Sequence, residues 1–298
     1  MQLIDGNIPV FGEADEKTLK QIRTCAKTAD KVALMPDNHL GYGVPIGGVV
    51  AYRNAISPTG VGYDIGCGNK AVRLDMKGCD LRPDIGQFMD EIWSTISFGI
   101  GRKNNERVDS EVLDSALDGW SLDATKPLYQ KAEAQLGTVG SGNHYVDIFT
   151  DEEDRVWIGV HFGSRGFGHG VATWFLKAAG AKDGMDVEPC VLDVNSDLGS
   201  QYLLAMNLAG SYAYAGRNWV CDRVAKILGA EVVEVVHKRG GNIRHSLSRI
   251  YASSLHPVGR YSVMLLIFCG FLPIIILAVG QIDASVVSLS QHCYVPTL

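Results

Sequence analysis

The chain has 298 residues, which suits one large domain or two modest ones. Apolar residues make up 46% and charged residues 20%, a balance that excludes global disorder. The formal net charge of -6 gives no overall attraction to nucleic acid or to anionic membrane, so a nucleic-acid ligand requires a local basic groove.

Residues 8–11 are a short apolar stretch. Residues 15–29 have helical spacing, with Leu19, Ile22 and Ala26 on one face. A strand is predicted over 31–35, ended by Pro36. A Gly-rich run then returns to a strand at 49–52. Residues 61–68 are apolar and Gly-rich and lead to a strand at 71–74. A helix is expected over 84–96, a loop with a short helix over 97–124, a helix over 128–135 and a turn over 137–142. Strands at 145–149 and 156–161 flank a charged hairpin, and 168–181 is helical. The strongest helix spans 200–228, with apolar residues at three- and four-residue spacing, and 231–236 is a β-branched strand. Helices and strands mix without steady βαβ alternation, so an α+β domain with a mixed β-sheet core and flanking helices is expected. Seven scattered cysteines without a CxxC pair, and no charged start followed by an apolar run in residues 1–30, favour free thiols and a cytoplasmic location.

The composition breaks near residue 237. Of 33 acidic residues only Asp283 lies beyond it. Lys238, Arg239, Arg244 and Arg249 form a basic stretch, and residues 261–280 carry no charge. The expected division is therefore a domain over 1–237 and a divergent tail over 238–298. An out-of-frame or disrupted reading explains that tail most simply. A membrane segment is a second account, since the charge-free run is long enough to span and Arg260 flanks it. An unfamiliar soluble tail is the third.

Four segments hold residues suited to chemistry. In Val-Gly-Tyr-Asp64-Ile-Gly-Cys67-Gly a turn can aim a carboxylate and a thiolate at one cation, though a buried Cys beside a turn-forming Asp has the same pattern. Gly137-Thr-Val-Gly-Ser-Gly-Asn143-His144 is a phosphate cradle or a plain turn with a surface His. His161 ends an apolar strand, and Ser164 and Arg165 follow in a turn suited to an anion. His169 reads as a helix-face residue. Asp37 and His39 line a cleft or only shape a turn.

Taken in order, MPDNHLGYGVPIGGV, VGYDIGCG, GTVGSGNHYVDI, HFGSRGFGHGV and SQYLLAMNLAGSYAYAGRNWVCDRV resemble the RtcB family of RNA-splicing ligases over about residues 1–237. The resemblance implies an RtcB-like fold and a GTP- and manganese-dependent RNA ligase of tRNA splicing and RNA repair. Such enzymes join 2′,3′-cyclic phosphate or 3′-phosphate ends to 5′-hydroxyl ends through a guanylylated histidine. It further implies that Asp64, Cys67 and His144 hold one of two Mn2+ ions. Cys67 bridges to the second, which His161 also binds. Asn143, His144, Tyr145, Val146 and Asp147 match the segment that touches the guanine nucleotide. RNA ends, GTP and an archease-like activator are the implied partners, and a membrane is not.

A His-Asn pair after the long helix supplies a further metal ligand in the family. His237 is the candidate, although Lys238 stands where Asn is expected. Beyond it there is no Gly-Ser-Met-Gly segment and no His-Gly-Ala-Gly-Arg segment, the one that carries the guanylylated His. His245, His256 and His292 lie in no comparable context. The expectation is a chain that lacks the nucleophile, acting as a metal- or RNA-binding remnant or, if the apolar run enters a membrane, as a tethered regulator.

Overall fold

The computed structural model describes residues 1–182, 184, 187–238, 263–266, 273–278 and 285–290. The strands are β1 (Gln2–Ile4), β2 (Ile8–Val10), β3 (Lys31–His39), β4 (Ile46–Arg53), β5 (Ala55–Ile56), β6 (Gly68–Lys77), β7 (Tyr145–Thr150), β8 (Arg155–Phe162), β9 (Leu192–Asp193), β10 (Val232–Lys238), β11 (Val263–Leu266), β12 (Pro273–Ala278) and β13 (Ser285–Ser290). The helices are α1 (Glu16–Ala26), α2 (Pro58–Val61), α3 (Gly78–Leu81), α4 (Ile85–Thr95), α5 (Tyr129–Gln135), α6 (Arg165–Ala178) and α7 (Asp197–Ile227). The fold is α+β, as expected.

The helices begin where side chains can satisfy their first free N–H groups. Asp15 caps α1 by accepting from the Thr18 N–H at 2.8 Å, and Ser196 caps α7 by accepting from Gly199 at 3.1 Å. Leu19, Ile22 and Cys25 then form the buried face of α1, which packs against Leu34 and Val50 of β3 and β4. Along α7, Tyr202, Ala205, Ala209, Tyr212, Gly216, Val220 and Val224 keep the same period and are buried.

A four-stranded antiparallel sheet, in the order β10-β6-β8-β7, positions the candidate site. Its core strand β8 is buried almost end to end, which explains its unbroken apolar run Val-Trp-Ile-Gly-Val. One face meets α7 through Val72, Ile158, Val160, Val220 and Val224. Helix α6 packs on α7 through Phe167, Phe175, Tyr202 and Tyr212.

A mixed seven-stranded sheet runs β1-β2-β3-β4-β13-β12-β11, with β2 and β3 parallel. Here the strand predicted to stop at Pro36 continues to His39. Its register with β4 is irregular between Leu34 and His39, and that break accommodates a proline that cannot donate to the ladder. The loop with a short helix expected over 97–124 carries short 3-10 helices at Glu111–Leu113 and Asp118–Trp120.

Within the charge-free run 261–280, the described residues form the paired strands β11 and β12, not a spanning helix. Among the described residues no helix is long and apolar enough to cross a membrane. His245, His256 and His292 lie outside the described residues.

Candidate metal centre

Three elements bring their polar residues together. The turn before β6 carries Asp64 and Cys67, the turn before β7 carries His144, and the end of β8 carries His161. The first turn closes through a Cys67 N–H donating to the Asp64 carbonyl at 3.0 Å. Gly66, at φ +76°, supplies the left-handed step that a side chain would resist.

The donor atoms of Cys67, His144 and His161 all lie within 4.8 Å of one another. Cys67 Sγ is 3.4 Å from His161 Nε2 and 3.6 Å from His144 Nε2, and Asp64 Oδ2 is 3.0 Å from His144 Nε2. Cys67 and His161 are buried. A second ring of contacts orients both imidazoles. His144 Nδ1 is 3.0 Å from the Val139 carbonyl, which can only accept, so Nδ1 carries a proton and Nε2 faces Asp64 and Cys67. His161 Nδ1 meets Asn69 Oδ1 at 3.2 Å, and Tyr145 donates its hydroxyl to the same oxygen at 2.7 Å. The two inward nitrogens, the Cys67 sulfur and the Asp64 carboxylate thus converge on one small space. A proton or a cation must lie between them, and the set suits a divalent metal. These ligand types fit zinc as readily as manganese.

Burial raises the Asp64 carboxyl, but hydrogen bonds from His144 and Cys67 and the charges of His144 and Arg165 together outweigh burial and hold it below its ordinary value. The carboxylate also fixes Gly163, since a Cβ there would stand 2.5 Å from its carbon and both oxygens.

Arg165 begins α6 in the left-handed region, at φ +56°. Its Nη1 is 3.2 Å from His144 Nδ1, and its Nε donates to Thr138 Oγ1 at 3.3 Å. Since Nδ1 already carries a proton, the guanidinium is an electrostatic neighbour of that ring rather than its donor. Burial lowers the Arg165 pKa, against the charge of Asp64. Ser164 is fully buried and its Oγ has no hydrogen-bond partner among the described residues.

Of the segment expected to touch a guanine nucleotide, Asn143 is exposed and residues 145–147 open β7, the edge strand of the sheet. Tyr145 stacks on His161 at 5.6 Å, whereas Val146 packs into the core beneath the sheet. The backbone of His237 pairs with Lys70, while Lys238 pairs with Asn69 in the row of His161; the His237 side chain lies outside the described residues.

Asp37 and His39 are not among the groups that meet Cys67. His39 Nδ1 bonds the Asp37 carbonyl at 3.0 Å, and Asn38 donates to Glu13 and Met35 carbonyls, so the segment shapes its own turn. His169 is a helix-face residue stacked on Tyr63 at 4.8 Å.

One residue with a direct hold on the centre lies within the long-helix motif, where the sequence assigns it no role. Arg217, buried in α7, donates through Nη1 to the carbonyls of Gly66 at 2.7 Å and Phe162 at 2.6 Å. Those two carbonyls adjoin Cys67 and His161. The sequence signal was a lone arginine on the apolar face of a long helix.

The family model described as tRNA-splicing ligase RtcB matches residues 18–125 and 122–250, so the match reaches into the basic stretch beyond His237. The chain is 29% identical to a tRNA-splicing ligase RtcB of Thermococcus kodakarensis, over 83% of this chain and 64% of that protein. It is 31% identical to a tRNA-splicing ligase RtcB of Methanococcus maripaludis, over 71% of this chain and 55% of that protein. An RNA-splicing ligase RtcB homolog 2 of Entamoeba dispar is 29% identical, over 78% and 61% respectively. The chain thus spans between 55% and 64% of the length of these relatives. With its motifs in the family's order and its Cys and His donors converged, the chain belongs to the RtcB family.

Proposed function

We propose that this chain carries the metal- and nucleotide-binding part of an RNA ligase that joins 2′,3′-cyclic phosphate or 3′-phosphate ends to 5′-hydroxyl ends. The observation that carries this reading is the convergence of Cys67, His144 and His161 beside the Asp64 carboxylate. Asp64, Cys67 and His144 would hold one Mn2+, and Cys67, His161 and His237 a second. Bound there, such ions would neutralise phosphate charge and polarise a phosphoryl oxygen. Asn69 and the Val139 carbonyl keep the imidazole nitrogens turned inward. Asn143, Tyr145 and Asp147 would offer side chains to GTP, and Val146, whose side chain is partly buried against the core, chiefly its main chain. An archease-like activator belongs to the same reading.

The chain contains no His-Gly-Ala-Gly-Arg segment. That observation favours a second reading, in which metal and RNA ends are bound but the histidine is not guanylylated.

Metal analysis of the wild type against Cys67→Ala, with labelled GTP and manganese as a parallel incubation, tests both. Loss of metal from Cys67→Ala is expected, with no stable labelled adduct on the wild type. Equal metal content in the two proteins overturns the metal centre, and a stable histidine adduct overturns the second reading.

A further inference from the structure

From Trp93, Phe98, Arg102 and Lys103, we infer that the surface beside the His144 turn is a stacking platform for an unpaired nucleotide of a single-stranded RNA end. The choice of RNA as ligand rests on the ligase reading above.

Trp93, near the end of α4, is 72% exposed, an unusual state for the largest apolar side chain. One face of its ring is nonetheless covered. It stacks on Phe98 with centroids 5.3 Å apart and planes 14° from parallel. The two rings border a shallow cavity of about 410 Å³, shared with Ser94, Arg102, Lys103 and Asn105, and no acidic residue lines it. Among the described residues neither Arg102 nor Lys103 takes part in a salt bridge, whereas Arg107 is tied to Glu133 and Arg223 to Glu106. Two uncommitted cations beside an open aromatic face match a phosphodiester and its base. In a chain of net charge -6, this is a local basic spot of the kind an RNA ligand requires.

The platform is also tied to the turn that carries His144. Phe98 pairs with Gly140 in a parallel bridge, and the Gly99 N–H donates to the Gly140 carbonyl at 2.7 Å. Gly140 lies in the turn that ends at His144, and the Arg165 guanidinium packs against it. A strand whose end reaches Cys67 and His144 would leave along this turn and meet Trp93. Met89 and Ile85, exposed one and two turns earlier on α4, extend the apolar surface. A protein partner is the competing occupant, but the two free cations at the ring favour RNA.

The test uses the full chain with manganese and a fluorescein-labelled 12-nucleotide oligoadenylate bearing a 3′-phosphate, followed by anisotropy across a salt series. Trp93→Ala should bind at least about 5-fold more weakly, as loss of one base–aromatic stack predicts, and Trp93→Phe should stay near the wild type. Arg102→Ala with Lys103→Ala should flatten the log-affinity against log-salt slope by about 1.4, the value for two phosphate contacts on a single strand. These side chains are exposed, so thermal midpoints should match the wild type. Undetectable wild-type binding, or wild-type affinity in Trp93→Ala together with an unchanged slope in the double variant, overturns the inference and leaves the apolar surface to a protein partner. Metal content of Cys67→Ala reads the ligase proposal separately. Retained metal there with weakened RNA binding in the platform variants would overturn that proposal and support the platform.

Discussion

Arg217 donates through one nitrogen, Nη1, to the main-chain oxygen of Gly66 at 2.7 Å and also to that of Phe162 at 2.6 Å. It thereby ties the Cys67 turn to the end of β8, which carries His161. The guanidinium is buried and lies 4.7 Å over the Tyr214 ring. The position of the candidate metal donors is thus set from α7, behind them, as well as by their own strands.

Replacing Arg217 should damage both stability and metal binding. Arg217→Met leaves two buried carbonyls without their donor, which should cost about 2–4 kcal/mol. Arg217→Lys keeps the charge but not the planar guanidinium stacked over Tyr214, so it should recover only part of the loss. Urea unfolding and metal content after dialysis measure the two effects. Wild-type values in Arg217→Met for both would show that the tie is dispensable.

Asn69 tests the orientation of His161. Its Oδ1 accepts from His161 Nδ1 and from the Tyr145 hydroxyl, which leaves His161 Nε2 facing Cys67. Asn69→Ala should weaken metal binding by roughly 10- to 100-fold, the usual loss when an outer partner of a ligating histidine is removed. Tyr145→Phe should have a smaller effect, because Asn69 keeps its bond to the imidazole. Titration with a competing chelator reads both, and equal affinity of Asn69→Ala and wild type would sink the assignment.

Much of this centre was legible in the sequence because its donors are chemically distinctive and sit in Gly-rich turns. Asp64, Cys67, His144 and His161 could each be named, and α7 could be read from its spacing. What remained hidden depends on register and on tertiary contact. Asn69 acquires its role only because β6 pairs with β8 so that Asn69 stands opposite His161. Arg217 looked like one more charge in a helix until its two carbonyl partners, 151 and 55 positions earlier, came beneath it. Pro36 was read as the end of a strand, but the irregular register of β3 against β4 lets the strand pass through it. The Trp93–Phe98 stack joins a helix end to a bridge with Gly140, and no local pattern announces that pairing.

Gly163 follows β8 and faces the Asp64 carboxylate, where a Cβ would lie 2.5 Å from its oxygens. Gly163→Ala should therefore displace Asp64 while leaving the cores that surround α7 intact. The expected outcome is a clear loss of metal affinity with a change in unfolding midpoint smaller than that of Arg217→Met. A variant that keeps its metal and loses only stability would place the role of Gly163 in packing.

Asp151, in the hairpin between β7 and β8, gives a pH-dependent prediction away from the centre. Its Oδ2 accepts from Arg155 Nε at 2.6 Å and Trp157 Nε1 at 2.8 Å, and its Oδ1 from the Arg155 and Glu153 N–H groups. Burial raises its pKa, but these donors outweigh burial and bring it from 3.8 to about 2. A folded-state pKa below the unfolded one means stabilisation that is complete above about pH 4 and lost as pH falls through about 2. Allowing for solvent screening at a hairpin, its size should be about 1 kcal/mol. Asp151→Asn should therefore lower the thermal midpoint at pH 7, and the gap from wild type should close between pH 4 and pH 2. A gap that stays constant across that window would show that the ionised carboxylate is not the source of the stabilisation.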